Sequence, residues 1–387
     1  MVLKMRKMKD SGIEWIGEIP EGWEVAPVKR LCTMQAGKNL TSEQIAPEGI
    51  YPVYGGNGIR GFFSDYNCDG QFLTVGRQGA LCGNVHKING KVWATEHAVI
   101  TTPSSYTTLD FLYYLLIGMD LNQYVSSTAA QPGLAVGTLL NLKTCYPCST
   151  LEQTQISNYL NAKCSEIDVM LTKTRASIEE YKNLKQTVIT QAVTKGVRGE
   201  REMKDSGVEW IGEIPAAWDV AKAKYCVTIT HGSDPKTEGS IPVYGSGAES
   251  FKTCGEYKEG PTVLIGRKGA TLHIPHYIEG KYWNVDTAFD VKAKNNFSLP
   301  YYYYLATSFD YKFYIAQTTL PGMTQSNYYN MFLPFPTFPE QEEIVNYLDA
   351  KCAEIDKLIA KKEQLVKELE SYKKSLIYEV VTGKREV

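Results

Sequence analysis

Residues 8–25, MKDSGIEWIGEIPEGWEV, return at 203–220 as MKDSGVEWIGEIPAAWDV, a match too long to arise by chance. The chain is therefore a tandem duplication, and whatever it folds into it must fold twice. Further matches follow in the same order: YPVYGGNG (51–58) with IPVYGSGA (241–248), GRQGA (76–80) with GRKGA (266–270), and Val92-Trp93 with Tyr282-Trp283. Gln131-Pro132-Gly133 then matches Leu320-Pro321-Gly322, and EQTQISNYLNAKCSEID (152–168) matches EQEEIVNYLDAKCAEID (340–356). The offset drifts only from 195 to 188, so each copy is a domain-sized unit rather than one turn of a solenoid.

Within each copy the composition changes abruptly. Residues 25–150 and 220–338 are rich in Gly, Tyr, Val, Thr and Pro, with short apolar runs such as 71–75 and 262–265 broken by glycine. That pattern predicts short strands and loops with a few helices, among them 109–119 and 300–308. From about 152 to 192 and from about 340 to 381, glycine and proline vanish and Glu, Lys, Gln, Leu and Ile dominate, which predicts one long helix each. Both helices carry a seven-residue stripe: Leu160, Ile167, Thr174, Tyr181 and Val188 with Cys164, Leu171 and Ile178, then Leu348, Ile355, Leu369 and Leu376 with Cys352, Ile359, Val366 and Val380. Lys185, Lys362 and Lys373 interrupt the stripe, which suggests a register-specific pair or further helices in the bundle. The expected fold class is α+β, with two tandem α/β domains at 1–151 and 199–339 and long helices at 152–198 and 340–387. Chain order makes the packed helices an antiparallel coiled coil, with one globular domain at each end and an internal pseudo-two-fold axis.

Composition removes several function classes. The hydrophobic share is 43% and the charged share 22%, and no apolar run approaches the roughly 20 residues of a membrane helix. The basic start (Lys4, Arg6, Lys7, Lys9) runs straight into Asp10-Ser11-Gly12 without an apolar segment, so no secretory signal is expected and a cytoplasmic location follows. Nine scattered cysteines, an odd number, predict free thiols. Cys145-x-x-Cys148 aligns with Leu333 and Pro336 in the second copy, which argues against zinc. Gly56-Asn57-Gly58-Ile59-Arg60-Gly61 fits a dinucleotide fingerprint, yet no helical pattern follows it, and the second copy puts Ser250 at the third glycine. There is no Asp/Asn-Pro-Pro-aromatic run and no Walker A pattern. Glu279-x-Lys281 becomes Asn89-x-Lys91 in the other copy, which argues against nuclease chemistry shared by both. His86 and His276 correspond, and read as a structural or phosphate-contacting position.

The opening MKDSGIEWIGEIPEGWEV, the Gly-Arg-x-Gly-Ala element, the Pro-Gly near each domain's end and the Glu-Gln-x-x-Ile start of each long helix resemble the specificity subunits of type I restriction-modification enzymes, over essentially the whole chain. The resemblance implies two target recognition domains reading the halves of a bipartite site on double-stranded DNA. It also implies helices that act as spacer and docking site for two methyltransferase subunits, and restriction (translocase-nuclease) subunits that join them. S-adenosylmethionine, ATP and Mg would then sit on those partners, and no cofactor or catalytic residue on this chain. The rival readings are a coiled-coil interaction scaffold and a divergent nuclease or methyltransferase.

Candidate DNA contacts follow from side-chain chemistry. Arg77-Gln78 and Arg267-Lys268 sit at glycine-flanked turns, where a guanidinium suits phosphate oxygens or guanine edges. The loops Tyr54–Arg60 and Tyr244–Ser250 differ between copies. The first offers Asn57 and Arg60 and the second Ser246, Glu249 and nearby Lys252, so the halves should read different bases. Lys87 and His276 complete the candidate set with Tyr54 and Tyr244. The expected spacer and docking residues are Leu160, Ile167, Leu171, Ile178, Leu348, Ile355, Ile359, Val366 and Leu369. A net charge of −2, spread without a basic tail, predicts that the isolated chain binds DNA poorly and that partners supply most phosphate contacts.

Overall fold

The structure, a computed structural model, describes residues 6–78, 82–125, 133–247, 249–269, 271–294, 296–311 and 322–387. The expectations placed on Lys4, on Gly79-Ala80, and on 131–132 and 320–321 lie outside these residues. The chain divides into two units, Met1–Thr174 with Leu365–Val387, and Arg175–Gln364.

The first unit opens with an antiparallel pair, β1 (Met8–Asp10) and β2 (Glu18–Pro20). The Asp-Ser-Gly turn between them explains one repeated motif. Asp10 accepts a hydrogen bond from the Gly12 amide and Ser11 Oγ one from the Ile13 amide, while Gly12 takes the left-handed φ of 67° that a side chain would strain. Asp205, Ser206 and Gly207 rebuild the same turn in the second unit.

The chain continues through β3 (Trp23–Pro27), α1 (Val28–Leu31), β4 (Cys32–Ala36), β5 (Tyr51–Gly55), β6 (Gly58–Phe63), β7 (Gln71–Gly76), β8 (Val85–Asn89), β9 (Trp93–Ala94) and β10 (Ala98–Pro103). Then come α2 (Leu109–Gly118), α3 (Val136–Asn141), β11 (Lys143–Pro147) and the 46-residue α4 (Thr150–Lys195), about 70 Å long. The strands form a sheet β4-β10-β7-β8, a smaller sheet β6-β5-β9 and the pair β3-β11. β7 is buried along most of its length, its apolar Phe72, Leu73 and Val75 flanking buried Thr74, and α2 packs over the sheet with Phe111, Leu112, Leu115 and Leu116 inward.

The second unit repeats this plan: β12 (Met203–Asp205), β13 (Glu213–Pro215), β14 (Asp219–Lys222), α5 (Ala223–Cys226), β15 (Val227–His231), β16 (Ile241–Tyr244), β17 (Ser250–Cys254), β18 (Lys258–Glu259), β19 (Thr262–Gly266), β20 (His276–Ile278), β21 (Lys281–Asn284) and β22 (Ala288–Ala293). It ends with α6 (Leu299–Ser308), α7 (Gln325–Asn330), β23 (Phe332–Phe335) and, as far as Gln364, α8 (Phe338–Val381). Its sheets run β15-β22-β19-β20 and β17-β16-β21-β18. The tyrosines of α6 face its core, with Tyr301 and Tyr302 fully buried.

The Glu-Gln pair at the start of each long helix has a structural role. Buried Gln153 donates to the carbonyls of Tyr106 and Pro147 and accepts from the Thr108 amide, which fixes the cap of α2 to α4. Gln341 does the same with Asn296, Pro336 and the Ser298 amide. Glu152 accepts from Trp23 Nε1 at 3.0 Å and pairs with Arg6; Glu340 accepts from Trp218 Nε1 at 2.9 Å and pairs with Arg201.

The lysines that interrupt the heptads turn out to set register. In the first unit the stretch 365–381 of α8 runs antiparallel to α4: Tyr159 lies near Arg385, while Lys373 holds Asp168 at 2.6 Å. In the second unit Lys185 holds Asp356 and Lys362 stands over the Tyr181 ring, while Arg198, just past α4, forks onto Glu343. A one-turn slip would separate each of these partners, so the charges specify a pairing that the apolar stripe alone leaves open. Cys145 is buried with its thiol pushed up to about 12 by desolvation, and Cys148 is exposed.

Candidate nucleic-acid interface

In the first unit the hairpin β5–β6 brings one end of the small sheet against the loop that follows β7. A Cβ on Gly56 would lie 2.9 Å from the Gln78 carbonyl, so only glycine permits this approach. Asn57 at the tip accepts from Asn84, and the Tyr54 ring lies 6.5 Å from that of His86, the second residue of β8. Tyr54, Asn57, Arg60, Gln78 and His86 thus share one patch. Arg77 is half-buried beside it, and neither Arg60 nor Arg77 forms an ion pair among the described residues.

The second unit assembles the equivalent patch. Tyr244 and His276 stack obliquely at 5.4 Å, Ser246 Oγ meets Thr271 Oγ1 at 3.1 Å, and the adjacent loop carries Arg267 and exposed Lys268. Arg267 donates to the Asp286 carbonyl at 3.1 Å and lies near its carboxylate, so its guanidinium is partly engaged. Lys252 is exposed on β17 with its ammonium over the Phe251 ring. Burial pushes the imidazoles of His86 and His276 below their usual range and keeps them neutral, and His86 Nε2 is buried without a hydrogen-bond partner among the described residues.

Lys87 does not join the patch. It follows His86 on a strand and so points to the opposite face, where it pairs with Asp110 at 2.6 Å over the Tyr113 ring. The heptad residues are also placed elsewhere than on a surface. Leu160, Ile167, Leu171, Ile178, Leu348 and Ile355 are buried, with Ile359, Val366 and Leu369 half-buried. Leu160, Ile167 and Leu171 join the core of the first unit and Leu348 that of the second.

One alignment inferred from the sequence needs correcting. Lys252 stands opposite Val243 as Gly61 stands opposite Val53, so the counterpart of Gly61 is Lys252 and not Ser250. The second hairpin turn is one residue longer, which an ungapped comparison misses. The segment Gly56–Gly61 is a hairpin tip and strand, not the strand-to-helix turn that a dinucleotide needs. Phe251, 60% exposed on the same hairpin, is absent from the sequence-derived candidates, because a lone phenylalanine in a strand pattern reads as core.

Two copies of one α/β head, each with a divergent hairpin surface and each built onto a pair of long antiparallel helices, define a duplicated recognition protein. The domain family described as type I restriction modification DNA specificity domain matches residues 20–180 and again 218–368, and the chain belongs to that family. A curated relative, the type I restriction enzyme EcoprrI specificity subunit of Escherichia coli, is 46% identical over 121 residues, a match that spans 30% of each protein. Among solved structures, a chain from a study of complex assembly and conformational transition of the type I R-M system aligns at a TM-score of 0.73 with 13% identity, over 95% of this chain and 99% of that one. The HsdS subunit of Thermoanaerobacter tengcongensis aligns at 0.51 with 14% identity, over 97% and 100%. These likenesses extend the fold to the whole chain. Among the described residues, no helix is long and apolar enough to cross a membrane.

Proposed function

We propose that this chain is the non-catalytic DNA-specificity subunit of a cytoplasmic type I restriction-modification complex, reading an asymmetric bipartite site with one head per half-site. The observation that carries this reading is the repeated patch of hairpin, Arg-bearing loop and Tyr–His pair, built alike in both units but exposing Asn57 and Arg60 in one and Lys252, beside half-buried Ser246, in the other. A shared scaffold with different exposed donors suits two half-sites of different sequence. The candidate contacts are Tyr54, Asn57, Arg60, Arg77 and Gln78 in the first head, and Tyr244, Ser246, Lys252, Arg267, Lys268 and His276 in the second. The domain limits proposed are heads at 1–151 and 199–339, with spacer helices at 152–198 and 340–387.

Methyltransferase subunits would dock on exposed apolar side chains of the helices. In the first unit Tyr372 and Met170 are 50% and 53% exposed, and Tyr372 shares a face with Tyr159 around Lys163 and Arg385. In the second unit Tyr347 and Leu184 are 40% and 47% exposed. By the helix offset of 340 − 152 = 188, Tyr347 repeats Tyr159 and Tyr372 repeats Leu184, so one docking surface occurs twice and suits two copies of one subunit. Those subunits would carry S-adenosylmethionine, and restriction subunits ATP and Mg. With a net charge of −2 on this chain, the partners supply much of the phosphate neutralisation.

The test is co-expression with the methyltransferase subunit of the same system in a methylation-free host, followed by sequencing for methylated adenine. One two-part motif with a fixed gap is expected, and it should vanish when this chain is omitted. Methylation without a two-part motif would refute the reading.

A further inference from the structure

The two hairpins share a feature that their sequences hide. In the first, Val53 stands opposite Gly61 and Tyr54 opposite Ile59, so Arg60 is an extra residue with no partner on the facing strand. In the second, Val243 stands opposite Lys252 and Tyr244 opposite Ser250, so Phe251 is the extra residue. Two residues facing one form a β-bulge, which bends an edge strand and re-aims the side chain at the bulge. β6 and β17 are both edge strands, and both bulge residues are exposed.

The two side chains also rest on equivalent platforms. A Cβ built on Gly55 would lie 2.4 Å from Arg60 Cδ, and one built on Gly245 would lie 3.7 Å from Phe251 Cε1. Only the Arg60 stem needs its glycine, since a Cβ on Gly55 would overlap it, whereas a Cβ on Gly245 would touch the Phe251 ring at an ordinary van der Waals distance. The backbone device is the same, and the chemistry at its tip has been exchanged.

We propose that the bulge residue is the base-selecting position of each head, Arg60 choosing guanine in one half-site and Phe251 choosing thymine in the other. The inference rests on the DNA-reading function above. Arg60 has no ion pair among the described residues to neutralise it, and a guanidinium matches the N7 and O6 acceptors of guanine as a fork. Phe251 offers only apolar surface, and the base-edge feature it can recognise in the major groove is the thymine methyl group.

The test uses the complex with its methyltransferase subunit and duplexes carrying the methylated motif's own sequence. Replacing the selected guanine by 7-deazaguanine, which lacks the N7 acceptor, should weaken the wild-type complex about tenfold or more, and should leave Arg60→Ala unaffected. Replacing the selected thymine by uracil, which lacks the methyl, should weaken the wild type about fourfold, and should leave Phe251→Ala unaffected. Each variant should relax one position of one half-site in the sequenced motif and leave the other half intact. Both side chains are exposed, so unchanged thermal melting is expected and serves as the control for folding. A motif that stays identical in both variants, or a uniform loss of affinity across all sequences, overturns the proposal. A wild-type complex with no two-part motif instead overturns the parent reading.

Discussion

Replacing Glu340 by alanine should destabilise the second unit far more than the equivalent Glu152→Ala destabilises the first, although the two glutamates hold the same partners. Glu340 is 6% exposed at its side chain and Arg201 22%, whereas Glu152 and Arg6 are 28% and 35% exposed. Removing Glu340 strands a mostly buried guanidinium, whose Nε already lacks a partner among the described residues, and leaves the indole N–H of fully buried Trp218 unpaired. Breaking a buried ion pair by deleting one partner costs about 3–5 kcal/mol. Trp23 is as buried as Trp218, but solvent reaches Glu152 and Arg6 and replaces their ion pair, so the loss there amounts to about 1–2 kcal/mol. For a unit of this size each kcal/mol moves the transition by about 2–4 °C. Glu340→Ala should therefore lower the melting temperature by about 10 °C and Glu152→Ala by about 4 °C, read by differential scanning calorimetry. Glu340→Gln, which can still accept from Trp218, should fall between. Equal shifts for the two alanine variants would refute the argument that burial, rather than the shared motif, sets the energy.

Two further outcomes follow from the same geometry. Lys185→Asp should weaken the second unit's helix pair, and adding Asp356→Lys should restore most of the loss, with a coupling of about 0.2–1 kcal/mol for a half-exposed pair; additive effects in a double-mutant cycle would deny these side chains their register role. Burial lowers the folded-state pKa of His86 and His276, so their contribution to stability is complete above the unfolded value of about 6.5 and declines as pH falls below it. Replacing both with glutamine should flatten the stability profile between about pH 6.5 and 5, and an unchanged slope in urea titrations would show that other groups set it.

Much of this architecture was legible in the residues themselves. A duplication is found by comparing the chain with itself, and needs no coordinates. Helices 109–119, 300–308, 152–192 and 340–381 were expected, and Leu109–Gly118, Leu299–Ser308, Thr150–Lys195 and Phe338–Val381 are found, because apolar periodicity and the absence of glycine and proline are local properties. The Tyr54–Arg60 loop stood out because the two copies disagree there.

What tertiary structure alone decided are the facts that depend on distant partners. Nothing local to Lys373 says that Asp168 will face it, and nothing local to Lys87, a candidate DNA contact, says that Asp110 will pair with it. Leu376 and Val380 close the core of the first unit from the far end of the chain. The bulges at Arg60 and Phe251 are a matter of strand register, which a one-residue difference in turn length conceals. Periodicity dictates which face of an element is apolar, but only packing, which joins residues hundreds of positions apart, determines what that face meets and which side chains are left for a ligand.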